Sequence, residues 1–234
     1  MVDSRITGVM LNMFRPDFVR RAVDHYLALD LFSEFFVVNC NPSQKWSHPN
    51  ERVRVLNLSH DVGLFARFMV APFASNDCIF HSDEDVVWTH KTCIRMFNKW
   101  HLSPDNLHGT IGRSVEKSYN TKTVHGELDI VLTTGGVLTS KETSTLPLSH
   151  KHLFSDIRTT PEGNGEDIIL SYCGIKNSGG LKNRAYKMPF DRVLKDKDNK
   201  KITGHDAIGK RCGNHRAHRM RIIKRCRSVF AKYL

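Results

Sequence analysis

At 234 residues the chain is long enough for one domain with a real core and too short for two comfortable ones. Hydrophobic residues at 40% and charged residues at 25% exclude a disordered chain, and no apolar run approaches the length that spans a bilayer. The formal charge of +11 points to anionic partners without choosing among nucleic acid, membrane and phosphorylated substrates.

The opening residues, Met1 to Arg5, run almost at once into a strand-like segment and not into the apolar core of a signal peptide. The expected location is therefore the cytoplasm, with the Golgi lumen following only if an anchor had been cut away. Six cysteines (Cys40, Cys78, Cys93, Cys173, Cys212 and Cys226) form no C-x-x-C pair, so neither a zinc ribbon nor a disulfide framework is expected, and most should be reduced core thiols.

Taken in order, Arg5 to Met13 reads as a buried strand, short, apolar and bounded by polar residues. Phe14-Arg15-Pro16-Asp17 is a turn with proline placed for a first helical turn, and Phe18 to Leu29 repeats its apolar residues at helical spacing. Phe35 to Asn39 is a second strand closed by Asn39-Cys40-Asn41-Pro42. Strand, helix and strand at this spacing make a βαβ unit, which implies parallel strands covered on both faces. Val53 to Leu58 is a third strand, and Gly63 to Ala74 a helix carrying Arg67 and interrupted near Pro72.

Ile79-Phe80-His81-Ser82-Asp83-Glu84-Asp85-Val86-Val87-Trp88 is the stretch where chemistry is expected. A buried strand ends there in three consecutive acids, and carboxylates are seldom left unpaired at such a place. A divalent cation compensates them: Mg²⁺ or Mn²⁺ takes one or two carboxylates, waters and the phosphates of a substrate. A solvated acidic turn is the plainer alternative. Ligands of open parallel sheets bind beyond the carboxyl ends of the strands, which is where Arg15, Asn39 to Asn41 and Asp83 to Asp85 all fall.

Lys91 to Trp100 is a helix, Gly109 to Arg113 a strand, Ser114 to Thr123 a polar loop and Leu128 to Thr134 another strand. Gly135-Gly136 lets backbone approach a ligand or take positive φ, or is a plain tight turn. The loop Pro161 to Gly165 delivers Glu166 and Asp167 to the start of a helix. Acids there favour the helix dipole in any protein, and a carboxylate on a glycine-flanked loop is also how a catalytic acid is set beside a sugar. Gly179 to Lys201 reads as a mobile connection. Lys201 to Leu234 holds ten Lys or Arg against the single acid Asp206, and its run from His215 to Cys226 suits a surface helix or a flap over an anion.

Together these residues resemble the exostosin-like glycosyltransferases, the GT-A family that builds and primes heparan sulfate, over roughly the whole chain. The family's Asn-Arg-Thr-Asp turn is similar to Phe14-Arg15-Pro16-Asp17, and Val-Val-Trp-Asn-Asn to Val37-Val38-Asn39-Cys40-Asn41. Arg67, Pro72 and Asp83 keep the family's spacing of arginine, proline and acidic triplet, and Asp-Asp-Asp becomes Asp83-Glu84-Asp85. Gly-Phe-Val-Pro-Arg resembles Gly109 to Arg113, Asn-Cys-Asp-Asp-Ile resembles Asn164 to Ile168, and Trp-His-Arg-Ala resembles Asn214-His215-Arg216-Ala217. Gly165 stands where the family has cysteine, so Cys226 lacks that partner, which a reducing compartment would explain.

The resemblance implies an α/β fold of GT-A, Rossmann-like type, a mixed and mostly parallel sheet flanked by helices. It implies one domain over residues 1–234: a nucleotide-binding half over 1–100, an acceptor half over 101–200 and a basic segment over 201–234 that closes over a diphosphate. The implied activity is transfer of a sugar from a UDP-sugar to a hydroxyl of an oligosaccharide or glycoprotein glycan. Asp85 and Asp83 would hold Mn²⁺ or Mg²⁺, and Arg15, Asn41, Arg67, Asp83, Glu84, Arg113, His215 and Arg216 would bind the nucleotide sugar. Asp167, with Glu166, would be the catalytic carboxylate. The competing classes are a metal-dependent nucleotidyltransferase or phosphohydrolase using the same acids, and a nucleic-acid-binding protein using the basic tail. The second leaves the triplet and the βαβ opening without a purpose, and neither a helix-turn-helix nor an RNA-stacking signature supports it.

Overall fold

The structure, a computed structural model, describes residues 5–115, 119–154, 165–189, 192–193 and 215–234. Its centre is a parallel group of strands: β1 (Ile6–Asn12) lies between β2 (Phe32–Asn39) and β4 (Cys78–Ser82), and β3 (Val53–Asn57) flanks β2. Helix α1 (Pro16–Leu27) makes the crossover between β1 and β2, with Pro16 at its first turn. The expected βαβ unit is thus present.

These strands are apolar on both faces because both are covered. Met10, Phe35 and Phe80 face a cluster built from α1 and α2 (His90–Trp100), while their alternating neighbours Val9, Phe36 and Ile79 face Ala66 and Val70. Trp88 and Trp100 are buried in the first of these clusters, as core side chains. Trp46 is buried there too, its indole N–H donating to Pro16 O at 3.4 Å.

Beyond β4 the sheet changes direction. Strand β10 (Val137–Ser140) pairs antiparallel with β4, then come β6 (His108–Gly109), β11 (Asn183–Ala185) and β8 (Gly126–Leu128), for eight strands in all. Among the described residues two smaller pairs stand apart, β5 (Val86–Val87) with β12 (Arg192–Val193), and β7 (Gly112–Arg113) with β9 (Ile130–Val131). Helices α3 (Lys141–Ser149), α4 (Glu166–Asn177) and α5 (His215–Val229) complete the described helices. A third core joins α4 and α5 through Ile168, Leu170, Ile222, Ile223 and Phe230. The result is an α/β fold, broadly Rossmann-like, with a mixed sheet flanked by helices. No helix among the described residues is long and apolar enough to cross a membrane.

Several elements differ from the sequence reading. Gly63 to Ala74 is two short 3-10 helices, Leu64–Phe68 and Ala71–Phe73, because Gly63 takes a φ of 72° and Pro72 cannot continue a helix. The expected strand from Gly109 to Arg113 is divided between β6 and β7, with the Thr110 hydroxyl drawn away to donate to Gly135 O at 2.6 Å. The segment from Leu128 to Thr134 is likewise divided among β8, β9 and a 3-10 turn. Gly136 has a φ of 81° with the Trp88 indole against it, so the glycine pair serves a turn that receives a core side chain. The five described cysteines, Cys40, Cys78, Cys93, Cys173 and Cys226, are free and buried. Cys212, Asp206, Pro161 to Asn164 and most of the stretch from Phe190 to Asn214 lie outside the described residues.

Candidate active site

Strand β4 is buried over its whole length and hydrogen-bonded on both sides, so the chain turns only after Ser82. Asp83, Glu84 and Asp85 occupy that turn, before β5 leads the chain into a separate ribbon. The Ser82 hydroxyl donates to Asp83 O at 2.9 Å and helps shape the turn.

Two arginines meet these acids. Arg15, the residue that precedes α1, pairs with Glu84, and its Nη1 lies 3.7 Å from Asp85 Oδ2. Arg67, on the first 3-10 helix, is only 1% exposed; its Nη2 donates to Asp83 Oδ1 at 3.0 Å and stands 3.8 Å from Glu166 Oε1. Burial opposes its charge, but Asp83 and Glu166 outweigh that and raise its pKa above the ordinary value. Its Nε and Nη1 are buried with no partner among the described residues. One guanidinium thus joins the acid after β4 to the acid that opens α4.

Glu166 and Asp167 form the first turn of α4, both nearly buried. Glu166 accepts from the Thr133 hydroxyl at 3.3 Å and from the Gly165 N–H at 3.2 Å. Burial, reinforced by Asp167, pushes its pKa up to about 7. Asp167 accepts from the Ile168 N–H at 2.8 Å and from Arg219 Nη2 at 2.7 Å and 2.8 Å on its two oxygens. Arg219 comes from α5, is 3% exposed and lies 4.7 Å over the Tyr119 ring. Gly165 precedes α4 with a φ of 129°, and a Cβ there would stand 2.3 Å from Ile222 Cδ1. The φ of 129° favours glycine here, and the Ile222 methyl would have to shift to admit a side chain.

The site carries more acid than base. Asp83, Glu84, Asp85, Glu166 and Asp167 meet Arg15, Arg67 and Arg219, five carboxyls against three guanidiniums among the described residues. Burial, with Asp83 adding to it, lifts Glu84 to about 7 and raises Asp85 as well. Asp85 Oδ1 is buried with no partner among the described residues, and it is the oxygen a cation would use. No three His, Cys, Asp or Glu side chains among the described residues converge as a cage for an ion. His81, just before the triplet, turns inward to Ser144 Oγ at 3.0 Å, and burial lowers its pKa to about 3.

The remaining sequence candidates have bonds elsewhere. Asn41 shapes its own loop by accepting from the Ser43 N–H at 3.0 Å. Its neighbour Asn39 is the structural hub: its amide meets Asn12 at 2.9 Å and Asn57 at 2.8 Å, three asparagines in register at the ends of β1, β2 and β3. Arg113 donates to Thr123 Oγ1 at 3.1 Å and hydrogen-bonds the Tyr119 hydroxyl, which links it to Arg219. Arg216 is exposed, with Nη2 3.5 Å from Thr121 Oγ1, and the His215 side chain lies outside the described residues. Arg219 was not singled out from sequence, although residues three apart on a helix share a face, so a helix carrying Arg216 toward the site carries Arg219 with it.

No curated protein matches the chain by sequence. Among solved structures it is similar to the crystal structure of Francisella tularensis 2-C-methyl-D-erythritol 4-phosphate cytidylyltransferase, with a TM-score of 0.52 and 12% identity over 88% of this chain and 97% of that one. At that identity the likeness is one of fold. The Glycosyl transferase family 64 domain matches residues 6–233, and the protein belongs to this exostosin-like glycosyltransferase family.

Proposed function

We propose that the chain is a metal-dependent glycosyltransferase of GT-A type that moves a sugar from a UDP-sugar to a hydroxyl of an oligosaccharide or glycoprotein glycan. The observation that supports this reading is the bridge through Arg67, which gathers the acids after β4 and the acids opening α4 into one cluster beyond the carboxyl end of β4. Asp85, with Asp83, would hold a divalent cation, which the surplus of carboxyls and the unpartnered Asp85 Oδ1 fit. Bound there, Mn²⁺ or Mg²⁺ supplies a Lewis acid for the leaving diphosphate.

The protein's own groups divide the remaining work. Arg15 and the unpartnered nitrogens of Arg67 donate to nucleotide or sugar oxygens, with Asn41 on the base side and Glu84 on ribose or donor sugar. Arg113, His215 and Arg216 are the further groups assigned to the nucleotide sugar on the family likeness. Asp167, its carboxylate oriented by Arg219, would be the carboxylate beside the anomeric carbon. In a retaining transfer, as the family likeness favours, it stabilises positive charge on the sugar; in an inverting one it or Glu166 takes the proton of the acceptor hydroxyl.

A thermal-shift panel of UDP-, GDP- and dTDP-sugars with and without Mn²⁺ tests the donor, since a ligand that binds only the native state raises its melting temperature. Stabilisation by UDP-sugars that requires the metal is expected, and indifference to all of them would sink the proposal. Asp167→Asn should abolish transfer and leave UDP binding nearly intact. Pyrophosphate release from a nucleoside triphosphate, without sugar transfer, would favour a nucleotidyltransferase instead.

A further inference from the structure

We propose that the outward face of α5, together with Leu181, seats the protein on an anionic lipid surface. Helix α5 buries one side, through Arg219, Ile222, Ile223 and Cys226, and turns Arg221, Lys224 and Arg225 outward, where all three are exposed. Residues three and four apart are neighbours on a helix, so these cations form one contiguous patch. From Ala207 to Leu234 the sequence contains no Asp or Glu, so no acid of this segment interrupts it.

The patch continues past the helix into apolar surface. Val229 is 42% exposed and Lys232 is exposed one turn later. Leu181, 60% exposed, follows Gly180, whose Cβ position lies 3.0 Å from Tyr233 O, so it adds exposed apolar surface near the end of the chain's last helical turns. Described acids at this end are already matched: Asp129 with Lys182 and with Arg227 at 3.4 Å, and Glu127 with Arg184 at 3.0 Å.

Cations beside exposed aliphatic side chains fit a bilayer surface, whose anionic headgroups reward the first and whose acyl boundary rewards the second. A nucleic acid would reward only the cations. The other side of α5 packs into the protein and carries Arg219 to the acid cluster, so the outward face docks against the surface without inserting a helix. The inference stands whether or not the chain transfers sugar.

Sedimentation of the full chain with phosphatidylcholine vesicles, with and without phosphatidylserine, tests it. Binding is expected only with phosphatidylserine and should fall with rising salt. The triple charge reversal Arg221→Glu, Lys224→Glu, Arg225→Glu should weaken vesicle binding on the order of a hundredfold. The pair Leu181→Ser, Val229→Ser should weaken it about tenfold while leaving binding to duplex DNA unchanged. All these side chains are exposed, so the unfolding midpoints should match the parent protein. Failure to bind phosphatidylserine vesicles, or full binding by the charge-reversed variant, overturns the proposal. Equal vesicle binding by the Leu181 and Val229 variant overturns it too, and would make the face a general polyanion site.

Discussion

The two acidic turns of the site are built on opposite principles. After β4, Glu84 and Asp85 share the half-exposed Arg15, and one buried oxygen of Asp85 lacks a partner among the described residues. At the start of α4, Asp167 is enclosed and engaged on both oxygens by Arg219, with a backbone N–H besides. The first turn keeps a buried carboxylate oxygen without a partner among the described residues, whereas both oxygens of the second are held by protein groups. Since removing one partner of a buried pair strands the other charge, the two turns should respond to mutation in opposite ways.

The largest expected effect is at the enclosed turn. Arg219→Met should cost about 3–5 kcal/mol of stability in urea unfolding, because Asp167 is left buried without its cation. Adding Asp167→Asn to that variant should restore a large part of the loss and none of the transfer activity. If Arg219→Met unfolds like the parent protein, the pair is not the buried anchor described here.

Next comes pH. Glu166 is raised from an ordinary 4.5 to about 7 in the folded protein, so its neutral form is the one the fold prefers. Its contribution is fully present below 4.5 and is lost as pH rises through 7, on the order of 3 kcal/mol in all. Glu166→Gln should flatten that slope in the ligand-free protein when unfolding is compared at pH 5 and pH 8. An unchanged slope would mean that Glu166 is charged in the fold.

Gly165→Cys, which restores the residue of the family pattern, should destabilise by about 1–3 kcal/mol through its positive φ alone. The close approach of Ile222 adds to this, so Gly165→Cys with Ile222→Ala should recover part of the loss. The smallest effect on stability belongs to the open turn. Asp85→Ala should shift unfolding by less than about 1 kcal/mol, since the side chain leaves a partner already shared with Glu84, yet it should remove the metal-dependent thermal shift with UDP. A large loss of stability there would contradict the contrast between the turns.

Much of the first hundred residues was legible in the sequence because the signals there are local. The runs that became β1, β2 and β4 are short, apolar and closed by polar residues, and the periodicity of Phe18, Val19, Ala22, Val23 and Tyr26 is the buried face of α1. Arg67 and Asp83 stand sixteen residues apart in the sequence, and the fold brings them within 3.0 Å. Strand β10 and helix α3 were not foreseen: Lys141 to Ser149 is polar, Thr- and Ser-rich and holds Pro147 inside the helix, so its periodicity is weak. The run from His215 to Cys226 reads as a surface helix from composition, yet Ile222, Ile223 and Cys226 bury one side of it and take Arg219 with them.

By itself the sequence determined which segments alternate between strand and helix and where each acid leaves its strand or enters its helix, since neighbours along the chain decide both. Only the tertiary structure decided that β10 enters the sheet antiparallel beside β4, and that Arg219, 52 residues beyond Asp167, is the cation that meets it. Such contacts arise from the burial of whole faces against one another, a free energy shared across many residues and written in no single stretch of them.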